Sequence, residues 1–281
     1  MKIKFTKMQA FGNDYVYIDA ITQTIENPSE LAIKVSNRNF GIGSDGMVLI
    51  CPSTTCDFRM RIFNPDGTEA EMCGNALRST SHFLYHYGFT SKTKFVIETY
   101  GGNQSVELFL ENGKVVNVEA IIGKAVFEPE QIPVSTTRER FIEEECLVID
   151  RKFKLSTISW GNPHTVLEYD NLSDLDIEKY GKYIEYMECF PKKTNVTFVE
   201  RISDDYLKIR EWERGTGETL GCGTGCCSAV VILNLLGKCG RNVLVEQIGG
   251  NLHVVIDDEG NVHMKGPTNL VFEGIFLNGE A

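Results

Sequence analysis

Apolar and polar residues alternate in short runs over most of this chain, and only a few stretches change to a helical period. Residues 3–8, 15–19, 155–160 and 165–168 are short strand-like runs, and the second and fourth end in an acid. Asn112-Gly113 and Glu259-Gly260 interrupt alternating segments and predict hairpin turns, with Asn-Gly the stronger signal. Two stretches predict central helices. Over residues 75–87, Ala76, Leu77, Phe83, Leu84 and Tyr87 gather on one side, and Gly88 offers a stop. Residues 224–236 are apolar nearly all round and end at Gly237, which predicts a buried helix. More polar helices are predicted at residues 28–38 and 172–187, and a last strand at 270–276.

The pattern occurs twice. Cys73 and Cys222 lie 149 residues apart, each after a strand-like run and a Gly-rich turn, and each opens a predicted helix. Gly12-Asn13 and Gly161-Asn162 share that offset, as do Phe58-Arg-Met-Arg61 and Leu207-Lys-Ile-Arg210; Gly101-Gly-Asn103 and Gly249-Gly-Asn251 differ from it by one. Matches in one order at nearly one offset predict an internal duplication, with a period too long for solenoid units. The expected fold is α/β in the α+β sense, with two pseudo-symmetric domains. Each is a mostly antiparallel mixed sheet wrapped round a central helix, with the active site in the cleft between them. The link falls near residues 120–133. The domains are expected at 1–120 plus 267–281, holding Cys73, and at 121–266, holding Cys222.

Composition narrows the function. With 42% hydrophobic and 24% charged residues the chain is that of an ordinary globular protein. A net charge of −11 argues against nucleic acid, whose binding rests on Lys and Arg neutralising phosphates. No stretch predicts a signal peptide or a membrane span. Nine cysteines without a secretion signal predict reduced thiols and a cytoplasmic location.

Cysteine at a helix start meets unpaired N–H groups and the positive end of the helix dipole, which favour a thiolate. The same N–H groups suit a carboxylate. Two such starts could hold an α-carboxylate while one thiolate removes the Cα proton and the other thiol returns one on the opposite face. That scheme needs no metal and no organic cofactor. Cys51, Cys56, Cys146, Cys189 and Cys239 predict packing residues, as do Cys226 and Cys227 inside the second helix. Cys222 and Cys226 have metal-compatible spacing, but no Cys-x-x-Cys and no nearby His completes a zinc set. Asn64 and Glu213 stand nine residues before the two cysteines; Arg214 follows, with a fork suited to a carboxylate. His164 belongs to the second Gly-Asn site, whereas His82, His86, His253 and His263 predict structural or surface roles. Other classes remain open: a hydrolase or transferase with one nucleophilic cysteine and His164 as its base, or a redox or metal-binding protein.

The segments Phe11-Gly-Asn-Asp14, Asn64-Pro-Asp-Gly-Thr-Glu-Ala-Glu-Met-Cys-Gly-Asn75, Gly161-Asn-Pro-His164 and Glu213-Arg-Gly-Thr-Gly-Glu-Thr-Leu-Gly-Cys-Gly-Thr-Gly225 resemble the diaminopimelate epimerase family. The resemblance covers essentially the whole chain. It implies interconversion of LL- and meso-diaminopimelate without pyridoxal phosphate, in lysine and peptidoglycan precursor synthesis. It implies Cys73 and Cys222 as bases, tuned by His164 and Glu213, with Gly74-Asn75 and Gly223-Thr224 cradling the reacting carboxylate. It implies substrate contacts from Asn13, Asn64, Asn162, Asn195, Glu213 and Arg214, of which Asn64, Asn195 and Arg214 sit at the distal end. It also implies a homodimer. A related racemase of another amino acid, such as histidine, would not need that distal set. Gly46 stands where some relatives carry a substrate-contacting Gln.

Overall fold

The computed structural model describes residues 2–277. The chain packs as two compact units, residues 1–121 with 265–281 and residues 122–264. The first unit begins with β1 (Lys2–Ala10) and β2 (Asn13–Asp19), followed by α1 (Pro28–Ser36). Next come β3 (Met47–Cys51), β4 (Phe58–Phe63), the two-residue β5 (Glu69–Ala70) and α2 (Gly74–His86). The unit continues with β6 (Lys94–Thr99), β7 (Gly102–Glu111) and β8 (Lys114–Gly123). β1 pairs antiparallel with β2, β2 parallel with β3, β3 antiparallel with β4, and β4 parallel with β6; β7 and β8 follow as hairpins. Helix α2 packs against β1, β2, β3, β4 and β7.

The second unit contains β9 (Glu144–Val148), β10 (Arg151–Ser159), β11 (Pro163–Glu168), α3 (Ile177–Glu185), β12 (Asn195–Ser203) and β13 (Tyr206–Glu213). It continues with β14 (Gly217–Thr219), α4 (Gly223–Leu235), β15 (Asn242–Gln247), β16 (Gly250–Ile256) and β17 (Val262–Gly266). The last strand, β18 (Asn269–Leu277), pairs antiparallel with β1. Helix α4 packs against β11, β12, β13 and β16.

The repeat extends to strand register. Val16 faces Met47 across the parallel β2–β3 pair, and Thr165 faces Val196 across β11–β12. Met47 faces Phe63, and Val196 faces Trp212. Each second-unit residue here lies 149 beyond its counterpart. Because a one-residue slip would turn every side chain to the opposite face, shared register places equivalent side chains alike in each unit.

Three expectations need correction. Helix α2 is not buried on one side only: every residue from Gly74 to Leu84 is buried, including Arg78, Ser79, Thr80, Ser81 and His82. Part of its polar face finds partners inside the unit, as in the Ser81 hydroxyl bond to the Leu77 carbonyl and the pairing of His82 with Thr268. Tyr87 is the C-cap and 36% exposed, not a core residue. The helix expected over residues 172–187 is two pieces, a 3-10 turn at Leu172–Asp174 and α3. Asn171 caps the first by accepting from Ser173 N, and Asp176 caps the second by accepting from Lys179 N, so a fresh start interrupts the pattern. Helix α1 stops at Ser36, two residues before the expected end, because the Asn37 side chain takes the N–H groups of Asn39 and Phe40.

Candidate active site

Both cysteines of the repeat are helix N-caps. Cys73 caps α2 with φ −142° and ψ 119°, and Cys222 caps α4 with φ −125° and ψ 113°. Gly74 and Gly223, each expected just outside its helix, are the first helical residues.

Around Cys73 the partners are amides and a phenol. The Cys73 thiol reaches Asn13 Oδ1 at 3.6 Å, and Asn75 Nδ2 donates to the same oxygen at 3.3 Å. Asn13 Nδ2 donates to Asp45 Oδ2 at 2.9 Å, and Arg38 holds Asp45 and Asp14 together. Buried Arg78 donates to Asn75 Oδ1 at 2.7 Å. The Tyr15 side chain hydrogen-bonds Cys73, and burial with that sulfur pushes its hydroxyl well above the usual tyrosine range. Asn64 lies at the end of β4 and donates to Thr68 Oγ1 at 3.0 Å. Gly46 has φ +155°, and a Cβ there would lie 2.4 Å from the Phe63 carbonyl oxygen. No other residue fits that backbone without displacing β4, so a Gln at this position is sterically excluded.

Around Cys222 the partners are acidic. The Gly225 N–H donates to Cys222 Sγ at 3.4 Å, and Thr224 Oγ1 lies 3.4 Å from it. Gln247 Oε1 accepts from Cys222 N at 2.9 Å. Burial, and then the carboxylates of Glu213 and Glu211, push the Cys222 thiol well above the usual range; the Thr224 hydroxyl and Gly225 N–H oppose them. His164 is fully buried, with Nδ1 3.4 Å from Glu211 Oε1. Its Nε2 lies 3.4 Å from Asn195 Nδ2. Glu213, half-buried, accepts from Thr219 Oγ1 at 2.7 Å. Arg214 is exposed; its N–H donates to Asn195 Oδ1 at 2.9 Å and its guanidinium to the Lys192 carbonyl at 3.0 Å. Asn162 is half-buried at the turn between β10 and β11 and accepts through its carbonyl from Trp160 N.

The expectation that no His stands near Cys222 is wrong in three dimensions. Parallel pairing sets His164 beside Asn195, and His164, Glu211 and Cys222 each offer a donor atom within 4.8 Å of the others. Those three could take one soft divalent ion. Tyr15, Asp45, Arg78, Glu211 and Gln247 escaped the sequence argument. The signal for Tyr15 was present, since it sits 149 residues before His164. For Glu211 it was the alternation of β13, which turns Leu207, Ile209 and Glu211 inward together.

A family model described as diaminopimelate epimerase matches residues 5–128 and 156–271. The diaminopimelate epimerase of Methanococcus maripaludis strain C5 is 48% identical over 97% of this chain and 99% of its own. That of Acetivibrio thermocellus is 45% identical over 97% and 98%. Among solved structures, a PhzF-family phenazine biosynthesis protein from Bacillus anthracis superposes with a TM-score of 0.73 at 20% identity, covering 99% of each chain. A hydroxyproline epimerase from Agrobacterium vitis, solved with trans-4-hydroxy-L-proline, gives 0.69 at 12% identity, covering 98% of this chain and 92% of that one. At these identities the solved structures speak to fold alone, and this chain shares their fold over nearly its whole length. Among the described residues no helix is long and apolar enough to cross a membrane.

Proposed function

Because the chain belongs to the diaminopimelate epimerase family, we propose that it inverts one Cα of diaminopimelate without a cofactor, using Cys73 and Cys222 as the two bases. The observation that carries this is the repeated N-cap: one thiol at the start of each central helix, in the same extended conformation. One sulfur, as thiolate, takes the Cα proton, and the electron pair moves into the carboxylate as an enolate. The N–H groups of Gly74-Asn75 and Gly223-Thr224 meet that growing charge. The thiol on the other face then delivers its proton, so each turnover exchanges the protonation of the two sulfurs. In the direction where Cys222 is the acid, its raised thiol is already in the required form.

Asn13 and Asn162 hold the reacting amino-acid end, with Glu213 beside Cys222. Asn64, Asn195 and Arg214 take the distal end, where Arg214 supplies the cation a second carboxylate requires. The protein works in the cytoplasm as a homodimer and binds neither nucleic acid nor membrane. Val271, Phe272, Ile275 and Leu277 of β18, each about half exposed, support a second copy as partner, and sedimentation velocity at micromolar protein tests it.

The decisive experiment incubates the pure protein in deuterated water, without added cofactor, with meso-diaminopimelate and separately with L-histidine. Deuterium should enter Cα of diaminopimelate only. Cys73→Ala and Cys222→Ala should each lose inversion by at least about 1,000-fold. Full turnover by either variant would sink the two-base scheme, and exchange into histidine alone would move the substrate.

A further inference from the structure

The buried carboxylate of Glu211 neither moves a proton nor holds substrate in the scheme above. Glu211 is 2% exposed, and its Oε2 accepts from Thr197 Oγ1 at 2.6 Å. It lies against the first turn of α4 so closely that a Cβ on Gly225 would fall 2.5 Å from Oε2. Burying a carboxylate is costly unless it is matched by charge or hydrogen bonds. The helix start and Thr197 meet part of that cost. Among the described residues, the one ionisable partner within ion-pair distance of Glu211 is His164.

The hydrogen bonds around His164 decide which ring nitrogen carries the proton. Asn195 Oδ1 accepts from the Arg214 N–H, so the Asn195 amide cannot be flipped without losing that bond. Its Nδ2 therefore faces His164 Nε2 as a donor, and Nε2 must accept. In the neutral ring the proton is then on Nδ1. That atom and Glu211 Oε1 are both buried, neither has a hydrogen-bond partner among the described residues, and they lie 3.4 Å apart.

The first unit lacks this pair. At the same offset Glu211 becomes Ile62, Gly225 becomes Ala76, and His164 becomes Tyr15. The carboxylate and the glycine that admits it occur together, and only where a histidine is present to use them.

We propose that Glu211 is a positioning residue for His164, holding its Nδ1–H and fixing the ring beside Cys222 during epimerisation. This rests on the two-base scheme, in which His164 tunes Cys222. Glu211 touches no substrate; beside its direct field on Cys222 it acts through the imidazole, as the orienting carboxylate of a Cys–His–Glu set.

The test has two parts. Nitrogen-15 correlation spectra of the His-labelled wild-type protein, which has five histidines, should show His164 protonated on Nδ1 and bare on Nε2. Glu211→Gln should lower kcat on the order of 10- to 100-fold with KM within about twofold, and Glu211→Asp should recover part of the loss. A proton on Nε2 in the wild-type protein, or a wild-type kcat for Glu211→Gln, overturns the proposal. The spectrum needs no variant, so it stands even if Glu211→Gln folds poorly. It is also independent of turnover: Cys222→Ala with full activity would remove the two-base scheme, whereas the wrong tautomer would remove only the role of Glu211.

Discussion

The two half-sites share a backbone and differ in what surrounds the sulfur. Cys73 is half-buried among Asn13, Asn75, Tyr15 and the Arg78 guanidinium behind them. Cys222 is buried among Glu211, Glu213 and His164. Duplication supplied one geometric device twice, a thiol at the head of a buried helix. Divergence then gave one copy an amide-lined setting and the other an acidic one. In the proposed two-base scheme the two sulfurs have to differ in any case, because one is charged when the other is not. The asymmetry of the environments is where that difference can be built in.

Position 46 and its counterpart 195 offer the strongest way to break the likeness. Gly46 accepts the Val16 N–H through its carbonyl and sits at φ +155°, with no room for a Cβ. Asn195 occupies the same register position in ordinary strand geometry and uses its side chain. Gly46→Ala should destabilise the protein by about 3 kcal/mol or more, through the contact with Phe63 and the backbone strain together. Asn195→Ala should cost less in stability, about 1–2 kcal/mol, and more in turnover. Urea unfolding of both variants gives the comparison; equal stability losses would mean that the two positions do the same job.

The pair Glu211 and Gly225 sharpens the contrast. Gly225→Ala alone should displace the carboxylate from Thr197 and His164, costing about 1–3 kcal/mol and slowing turnover. Adding Glu211→Ile recreates the first-unit combination of Ile62 and Ala76. The double variant should regain stability relative to Gly225→Ala but not turnover. A double-mutant cycle by thermal unfolding and by kcat separates the two outcomes, and recovery of kcat would show that the carboxylate is only filling space.

Much of this was legible in the sequence, for identifiable reasons. The cysteines, the Gly-Asn turns and the hairpins carry local signals, and a duplication multiplies each signal by its repeat. What was not legible depends on contacts across strands. His164 reaches Cys222 because α4, which Cys222 caps, packs against β11, which no spacing along the chain reveals. Helix α2 looked amphipathic because Arg78, Ser79, Thr80, Ser81 and His82 are polar, yet strands pack against it, and Arg78, Ser81 and His82 find partners in Asn75, Leu77 and Thr268. The sequence could place the polar face; only the sheet decided that it would be dry.

That polar helix sets the last and smallest contrast. His82 of α2 is buried against Thr268, and its counterpart in α4 is Val231. Burial, with His86 nearby, lowers the His82 pKa to about 4. An unfolded chain would protonate this histidine near pH 6.5. Between those values the unfolded state binds more protons than the folded one, so stability rises with pH across the window. It is fully present above about pH 6.5 and falls as the pH drops towards 4, by ~2 kcal/mol. The loss should be confined to the first unit. Hydrogen exchange followed by mass spectrometry can see this, comparing peptides of α2 with those of α4 at pH 7 and pH 5. Both tryptophans, Trp160 and Trp212, lie in the second unit, so intrinsic fluorescence reports that unit separately. Acid should loosen α2 while the tryptophan signal and α4 protection hold, and His82→Val should flatten the α2 response to match α4. If α2 and α4 loosen together, or His82→Val leaves the slope unchanged, the acid sensitivity belongs to other groups.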